Sequence, residues 1–238
     1  MEPLLLLLLG IVMLVGGILT LRSFGPGYRV GRLFAAAPKV SVADAIRLAG
    51  GGSPRLVQVA GRIDSDEEFE DAAHSPLVLR RSRVQLLRGE RWETVEDQRE
   101  LVPFSVGEGL DAIRVDGEAL DVGLVVVPRE AVGTAADVPD RVPAGTAPAT
   151  PARIWIEQVS SVEHAIVIGV PATAPDGMPW LTAGLGRPLV LTTLEPTEAM
   201  RLLGGGSRGR AALATVLVVG GPIVAALAIG WGVISALA

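Results

Sequence analysis

The chain has no cysteine, a single lysine, a single tyrosine and only two histidines among its 238 residues. Without cysteine there can be no disulfide, thiolate nucleophile, cysteine-ligated zinc or lipidated cysteine anchor, and the redox compartment leaves no mark. Two histidines with no H-x-x-x-H spacing would need carboxylates to complete any zinc site. Aromatic residues make up 4% of the chain, too few for a base-stacking platform, and a formal charge of −5 gives no reason to expect a nucleic-acid partner. Twenty of the 21 basic residues are arginine, with Lys39 the exception. That bias reads as GC-rich coding rather than a phosphate-binding surface. No cofactor is implied.

Charge is also missing from both ends. Pro3 to Leu21 carries no charged side chain over 19 residues, and Ala211 to Ala238 carries none over 28. A helix needs ~20 such residues to cross ~30 Å of hydrocarbon, so the expectation is a membrane protein with spans at 1–21 and 211–238, integral to the cell membrane. The first run lacks the basic start of a signal peptide and reads as an uncleaved anchor. Arg22, Arg29 and Arg32 follow the first span, while Arg201, Arg208 and Arg210 precede the second. The positive-inside rule then places the central domain in the cytoplasm. In the second run Gly221, Ala225, Ala228, Gly232 and Ser235 are spaced 4, 3, 4 and 3, which sets all five on one helical face. Small residues allow close backbone approach, so this seam is expected to dock the first helix or its own copy in a homo-oligomer.

Between the runs, residues 22–39 form a connector with Gly25-Pro26-Gly27, residues 40–203 a β-rich domain, and residues 204–210 a linker. Ser41 and Asp44 start a short helix through Leu48 in the manner of a capping box. Strands are expected at Leu56–Ile63, Arg83–Leu87, Arg91–Val95, Leu101–Val106, Ala112–Val115, Leu124–Pro128, Arg153–Val159, Ala165–Val170 and Leu189–Thr193. Such spacing with glycine-rich turns predicts a small barrel or sandwich with minor helix. Val138–Pro151, rich in Pro, Ala and Thr, reads as a loop insertion, and Thr197–Leu203 as a terminal helix.

Chemistry-bearing residues are sparse. Asp64 to Asp71 holds six carboxylates in eight residues but lacks EF-hand spacing, and reads as a solvated acidic loop. His74 and His164 read as ordinary polar residues. Gly205-Gly206-Ser207-Arg208-Gly209 matches the G-x-S-x-G string, but a short helix precedes it where a nucleophile elbow needs a strand, so Ser207 reads as linker. Trp92, Trp155 and Trp180 are expected to anchor the core. The seam and arginine flanks apart, no catalytic, metal or cofactor residue is assigned.

Several stretches, in order, resemble the GIDE domain, also called BAM for "beside a membrane". These are Leu56–Ile63 with Gly61, Ser75-Pro76-Leu77, Trp92–Val95, Val102-Pro103-Phe104, Gly107–Gly117, Glu157–Gly169 and Leu189–Leu203. Together they span about 150 residues. The family includes RING-type mitochondrial E3 ubiquitin ligases of the MULAN kind and prokaryotic membrane proteins. Two departures stand out. The strand after Ser-Pro-Leu, often Cys- and Tyr-bearing in the family, is here Val78-Leu79-Arg80-Arg81-Ser82. A RING needs several Cys and His, and this chain has no Cys, so ubiquitin transfer is not carried over. The resemblance implies a membrane-anchored, non-enzymatic interaction or regulatory module whose partner is a membrane-proximal protein beside the lipid bilayer. The competing readings are a component of a membrane-bound hydrolase or ligase complex, and an oligomeric transporter or channel subunit.

Overall fold

The computed structural model describes residues 2–22, 26–204 and 208–237. They divide into two units, residues 1–32 with 200–238, and residues 33–199. The helices are α1 (Glu2–Arg22), α2 (Pro26–Ala36), α3 (Val42–Ala49), α4 (Pro196–Gly204) and α5 (Arg208–Leu237). The first six strands are β1 (Val57–Asp64), β2 (Phe69–Glu70), β3 (Pro76–Arg88), β4 (Arg91–Leu101), β5 (Phe104–Glu108) and β6 (Asp111–Val115). Then come β7 (Leu124–Val125), β8 (Arg129–Thr134), β9 (Pro151–Ser160), β10 (His164–Thr173), β11 (Pro179–Thr182) and β12 (Val190–Thr192).

Five strands of the larger unit close on themselves in the order β1-β5-β6-β11-β10 and back to β1. Every pairing in the ring is antiparallel except β6 with β11. This is the Greek-key order of a small OB-type barrel. Closure leaves no free edge among these five strands, and inward residues fill the interior. Val57, Val59, Ile63, Phe104, Val106, Ile113, Val115, Ala165, Val167 and Leu181 are all buried in one cluster. Strand β12 continues the sheet from β10, and β7 pairs with β12 in parallel.

The helix α3 lies across all five ring strands. The Ser41 hydroxyl accepts the Asp44 N–H at 3.1 Å, which satisfies an orphan donor and starts the helix where the chain enters the barrel. Its Val42 and Ala45 are fully buried among the barrel side chains. Lys39 bridges in parallel to Gln58, and Val40 N–H donates to the Gln58 carbonyl, so the strand start and the helix are held together.

A second, open sheet is built from the chain between β1 and β5 and between β7 and β10. Strand β3 carries β9 on one edge, with β8 beyond it, and on the other edge β4 beside the short β2. Where β3 leaves the barrel, Val78, Leu79 and Val159 join the main core. Farther out a small separate core forms, in which Leu86, Ala135 and Ala152 are buried with Val95, Val138 and Val142 against them. The Pro-rich segment makes it. Residues 135–137 and 139–141 form two 3-10 turns, the rest of the segment to Thr150 is loop, and Arg141 reaches the Glu96 carboxylate and the Ser82 hydroxyl, the latter at 2.8 Å.

In the smaller unit α1 and α5 pack side by side. A Cβ on Gly10 would lie 2.8 Å from the Gly221 carbonyl oxygen and the Ala225 nitrogen, and one on Gly17 would lie 2.7 Å from the Val218 side chain. The apolar runs thus do form helices, but the two-span reading is corrected. Among the described residues no helix is long and apolar enough to cross a membrane. The assignments of a transmembrane protein, a place in the cell membrane and a cytoplasmic orientation fall with it. Outward-facing side chains of the pair, including Leu5, Leu8, Val12, Leu19, Val216 and Leu227, are apolar and exposed.

Gly123, before β7, sits where a Cβ would fall 1.8 Å from the Leu189 carbonyl oxygen, whereas a Cβ on Gly52 would meet nothing within 4 Å. Gly123→Ala is therefore expected to cost about 2 kcal/mol or more of stability, and Gly52→Ala less than about 0.5 kcal/mol. Urea unfolding followed by tryptophan fluorescence measures both.

Candidate interaction surface

Period-two alternation places Arg81, Arg83, Gln85 and Leu87 of β3 on one face of the open sheet. Register sets Arg99, Asp97, Thr94 and Trp92 of β4 beside them on one side, and Glu157, Trp155 and Arg153 of β9 on the other. Two Arg81 nitrogens grip both Asp97 oxygens, at 2.9 and 2.7 Å. Arg83 donates to Glu157 at 2.8 Å. Arg153 donates to the Gln85 side-chain oxygen at 2.7 Å and faces Glu130 of β8 at 3.5 Å, while Gln85 donates to Thr94 at 2.9 Å. Arg99 donates to the Gly117 carbonyl.

The Arg153 guanidinium also lies 4.4 Å from the centre of the Trp92 ring and 5.3 Å from that of Trp155. Stacking of a delocalised cation on indole adds to its hydrogen bonds, and only arginine combines a planar fork with that stacking. The arginine bias of the sequence thus has a structural use here. The two tryptophans are half-buried flanks of this cation, not the core anchors expected; Trp180 is half-buried in β11. Two donors of the face, Arg83 Nε and Trp155 Nε1, are buried without a partner.

Hydrogen bonds from Arg81 hold the Asp97 carboxyl below its ordinary value of 3.8, helped by the Arg81, Arg83 and Arg99 charges, while partial burial pushes it up. The hydrogen bonds to Asp97 in turn push the Arg81 guanidinium further up.

The residues singled out in the sequence lie elsewhere. Gly221 packs on Gly10 and Leu14, Ala225 meets Gly10, and Ala228 is 2% exposed, so these three share the face of α5 that meets α1. The side chains of Gly232, Ser235, Arg22, Arg29, Arg208 and Arg210 lie outside the described residues, as does Ser207. Arg32 and Arg201 are exposed. His74 is an exposed loop residue with φ 58°, its Nδ1 2.6 Å from a Glu70 oxygen. In the acidic run, Asp71 turns inward and accepts the Ala73 and Ser75 N–H groups at 2.8 and 2.9 Å, and the Ser75 bond leads the lowering of its pKa. Among the described residues no group of three or more acidic or histidine side chains is placed to hold a metal ion.

His164, at the start of β10, lines an open cleft of about 720 Å³ with Arg62, Asp64, Glu68, Glu108 and Ser161. Ser161 is 5% exposed and its hydroxyl has no hydrogen-bond partner. A serine nucleophile needs a base within hydrogen-bond reach, and none is in place at this one. No family model matches the chain, and no curated protein or solved structure is similar to it.

A depressed Asp97 pKa means its contribution to stability is present above pH 3.8 and is lost as pH falls through the folded-state value. Asp97→Asn is expected to lower stability at pH 7 by up to about 1 kcal/mol, the pair being partly exposed, and to lower it less at about pH 3. Urea unfolding of both proteins at the two pH values reads the effect.

Proposed function

We propose that the chain is a non-enzymatic interaction and regulatory module of the GIDE type, without ubiquitin transfer, whose β-rich unit docks a protein partner through the arginine–tryptophan face of its open sheet. The observation that carries this is Arg153 held between Trp92 and Trp155, next to Arg81, Arg83 and Arg99. Arginine and tryptophan are the residue types that dominate binding energy at protein interfaces, and here both are fixed by the sheet and its hydrogen bonds before any partner arrives. The stretches that resemble the GIDE domain support the type. They fall on β1, the start of β3, β4, β5 with β6, the end of β9 with β10, and β12, all strands of the larger unit, and the last stretch runs on into α4. Gly61 is one example: a Cβ there would lie 2.3 Å from the Gly107 carbonyl oxygen, where β1 crosses β5.

A photoreactive amino acid placed at the exposed Thr94, beside Trp92, tests the reading in cells that make the protein. Crosslinks to a discrete protein are expected there and not from Gly52. Arg153→Glu should abolish them, while alanine at His74, His164 and Ser207 should leave them unchanged. Equal crosslinking in Arg153→Glu, or labelling of Ser207 or Ser161 by a serine-hydrolase probe, would overturn it.

A further inference from the structure

The open sheet has two long edges, and they are built differently. Strand β4 carries Arg91, Glu93, Glu96, Asp97, Arg99 and Glu100 along its length, the charge pattern that blunts an edge against strand addition. Strand β8 instead is charged only at its start, Arg129 and Glu130, and then runs Ala131-Val132-Gly133 without charge or proline, with Val132 72% exposed.

Backbone geometry shows which groups of β8 face outward. Ala135 N–H donates toward the sheet, to the Thr150 carbonyl at 2.8 Å. Thr134 lies opposite Pro151, which has no N–H, and its own N–H turns away from β9 to the Asp137 carboxylate at 2.7 Å. Antiparallel pairing alternates from residue to residue, so Ala131 and Gly133 bond to β9 while Glu130 and Val132 present N–H and C=O on the outer edge.

Beside that edge is an open notch of about 150 Å³, lined on the sheet side by Ala131, Gly133, Ala152 and Ile154 and roofed by Val138. An apolar cavity of about that volume takes a benzene-sized group. The notch exists because the Pro-rich segment is pinned over this face of the sheet by Arg141.

We propose that β8 is a strand-addition site: an extended segment of a partner protein pairs with Glu130 and Val132 and seats one large apolar side chain in the notch beneath Val138. Main-chain bonds then supply affinity and the notch supplies selectivity, as in other β-augmentation interfaces. A second copy of this chain fits poorly. Paired through its own β8, it would bring Ala131 and Gly133 to that face, too small to fill the notch, or the charged Arg129. The inference rests on the interaction reading above but uses a different surface, so loss of crosslinks at Thr94 and loss of binding at β8 are separate results.

The test uses the full chain and a fluorescein-labelled heptapeptide of alternating threonine and leucine, with a second peptide in which each leucine is alanine. Fluorescence anisotropy is expected to show saturable binding of the leucine peptide below about 1 mM, and at least tenfold weaker binding of the alanine peptide. Val132→Pro removes only the outward N–H, which makes no ladder bond to β9, so binding should fall at least tenfold with the circular dichroism spectrum kept. Ala131→Leu, which fills the notch and leaves the outer edge intact, should do the same and keeps the test decisive if the proline variant loses its fold. No binding at about 1 mM, equal binding of the two peptides, or unchanged binding in Ala131→Leu would overturn the proposal. So would a dimer in sedimentation that Val132→Pro dissolves, since that would make the occupant a second copy.

Discussion

Everything in the larger unit depends on both edges of β10 being taken. One edge pairs with β1 from Val57↔Gly169 to Arg62↔His164. The other pairs with β12 over Ile166–Ile168, and the strand's last four residues continue into the hairpin with β11. The β1 pairing turns a row of strands into a closed ring, and closure removes the free edges that would otherwise need solvent or a partner. Its residues match that duty. Ala165, Val167, Ile168 and Val170 are buried, and a Cβ at Gly169 would press within 2.6 Å of the Leu189 side chain. With the ring closed, β3 and β9 can run out of the barrel as a second sheet that remains open, and the candidate binding surfaces lie on that open part.

The division of labour has a physical logic. A closed barrel satisfies its backbone internally and buries its apolar side chains, so it has stability but few groups left to offer. The open sheet is stitched by arginine–carboxylate pairs, each worth little at the surface, and is held in place where Leu79 and Val159 reach the main core. It therefore keeps one polar face, one densely charged edge and one edge charged only at Arg129 and Glu130 available without weakening the unit that carries it.

The barrel was legible because its strands are apolar: Leu56–Ile63, Ala112–Val115 and Ala165–Val170 each stand out in the sequence and each lies on a ring strand. What escaped reading shares the opposite property. The second half of β4, Glu96 to Leu101, is charged because it is an exposed edge; β8 holds a glycine and an exposed valine; β11 starts with Pro179. Composition misled in two places. Tryptophans suggested core, whereas Trp92 and Trp155 are half-buried beside the Arg153 guanidinium. Uncharged ends suggested two membrane spans. They form helices that meet through Gly10, Gly17, Gly221 and Ala225, while among the described residues none is long and apolar enough to cross.

The most direct measurement of a closed barrel carrying an open sheet is residue-resolved hydrogen exchange of the native chain. Amides of β10 from Ala165 to Gly169 and of Val57, Val59 and Gly61 on β1 are expected to exchange slowest, at the rate of global unfolding. On β8 the amides of Ala131 and Gly133 should be protected, and those of Glu130 and Val132 should exchange at rates near those of open chain. Fast exchange in β10, or equal protection at all four β8 positions, would contradict the account.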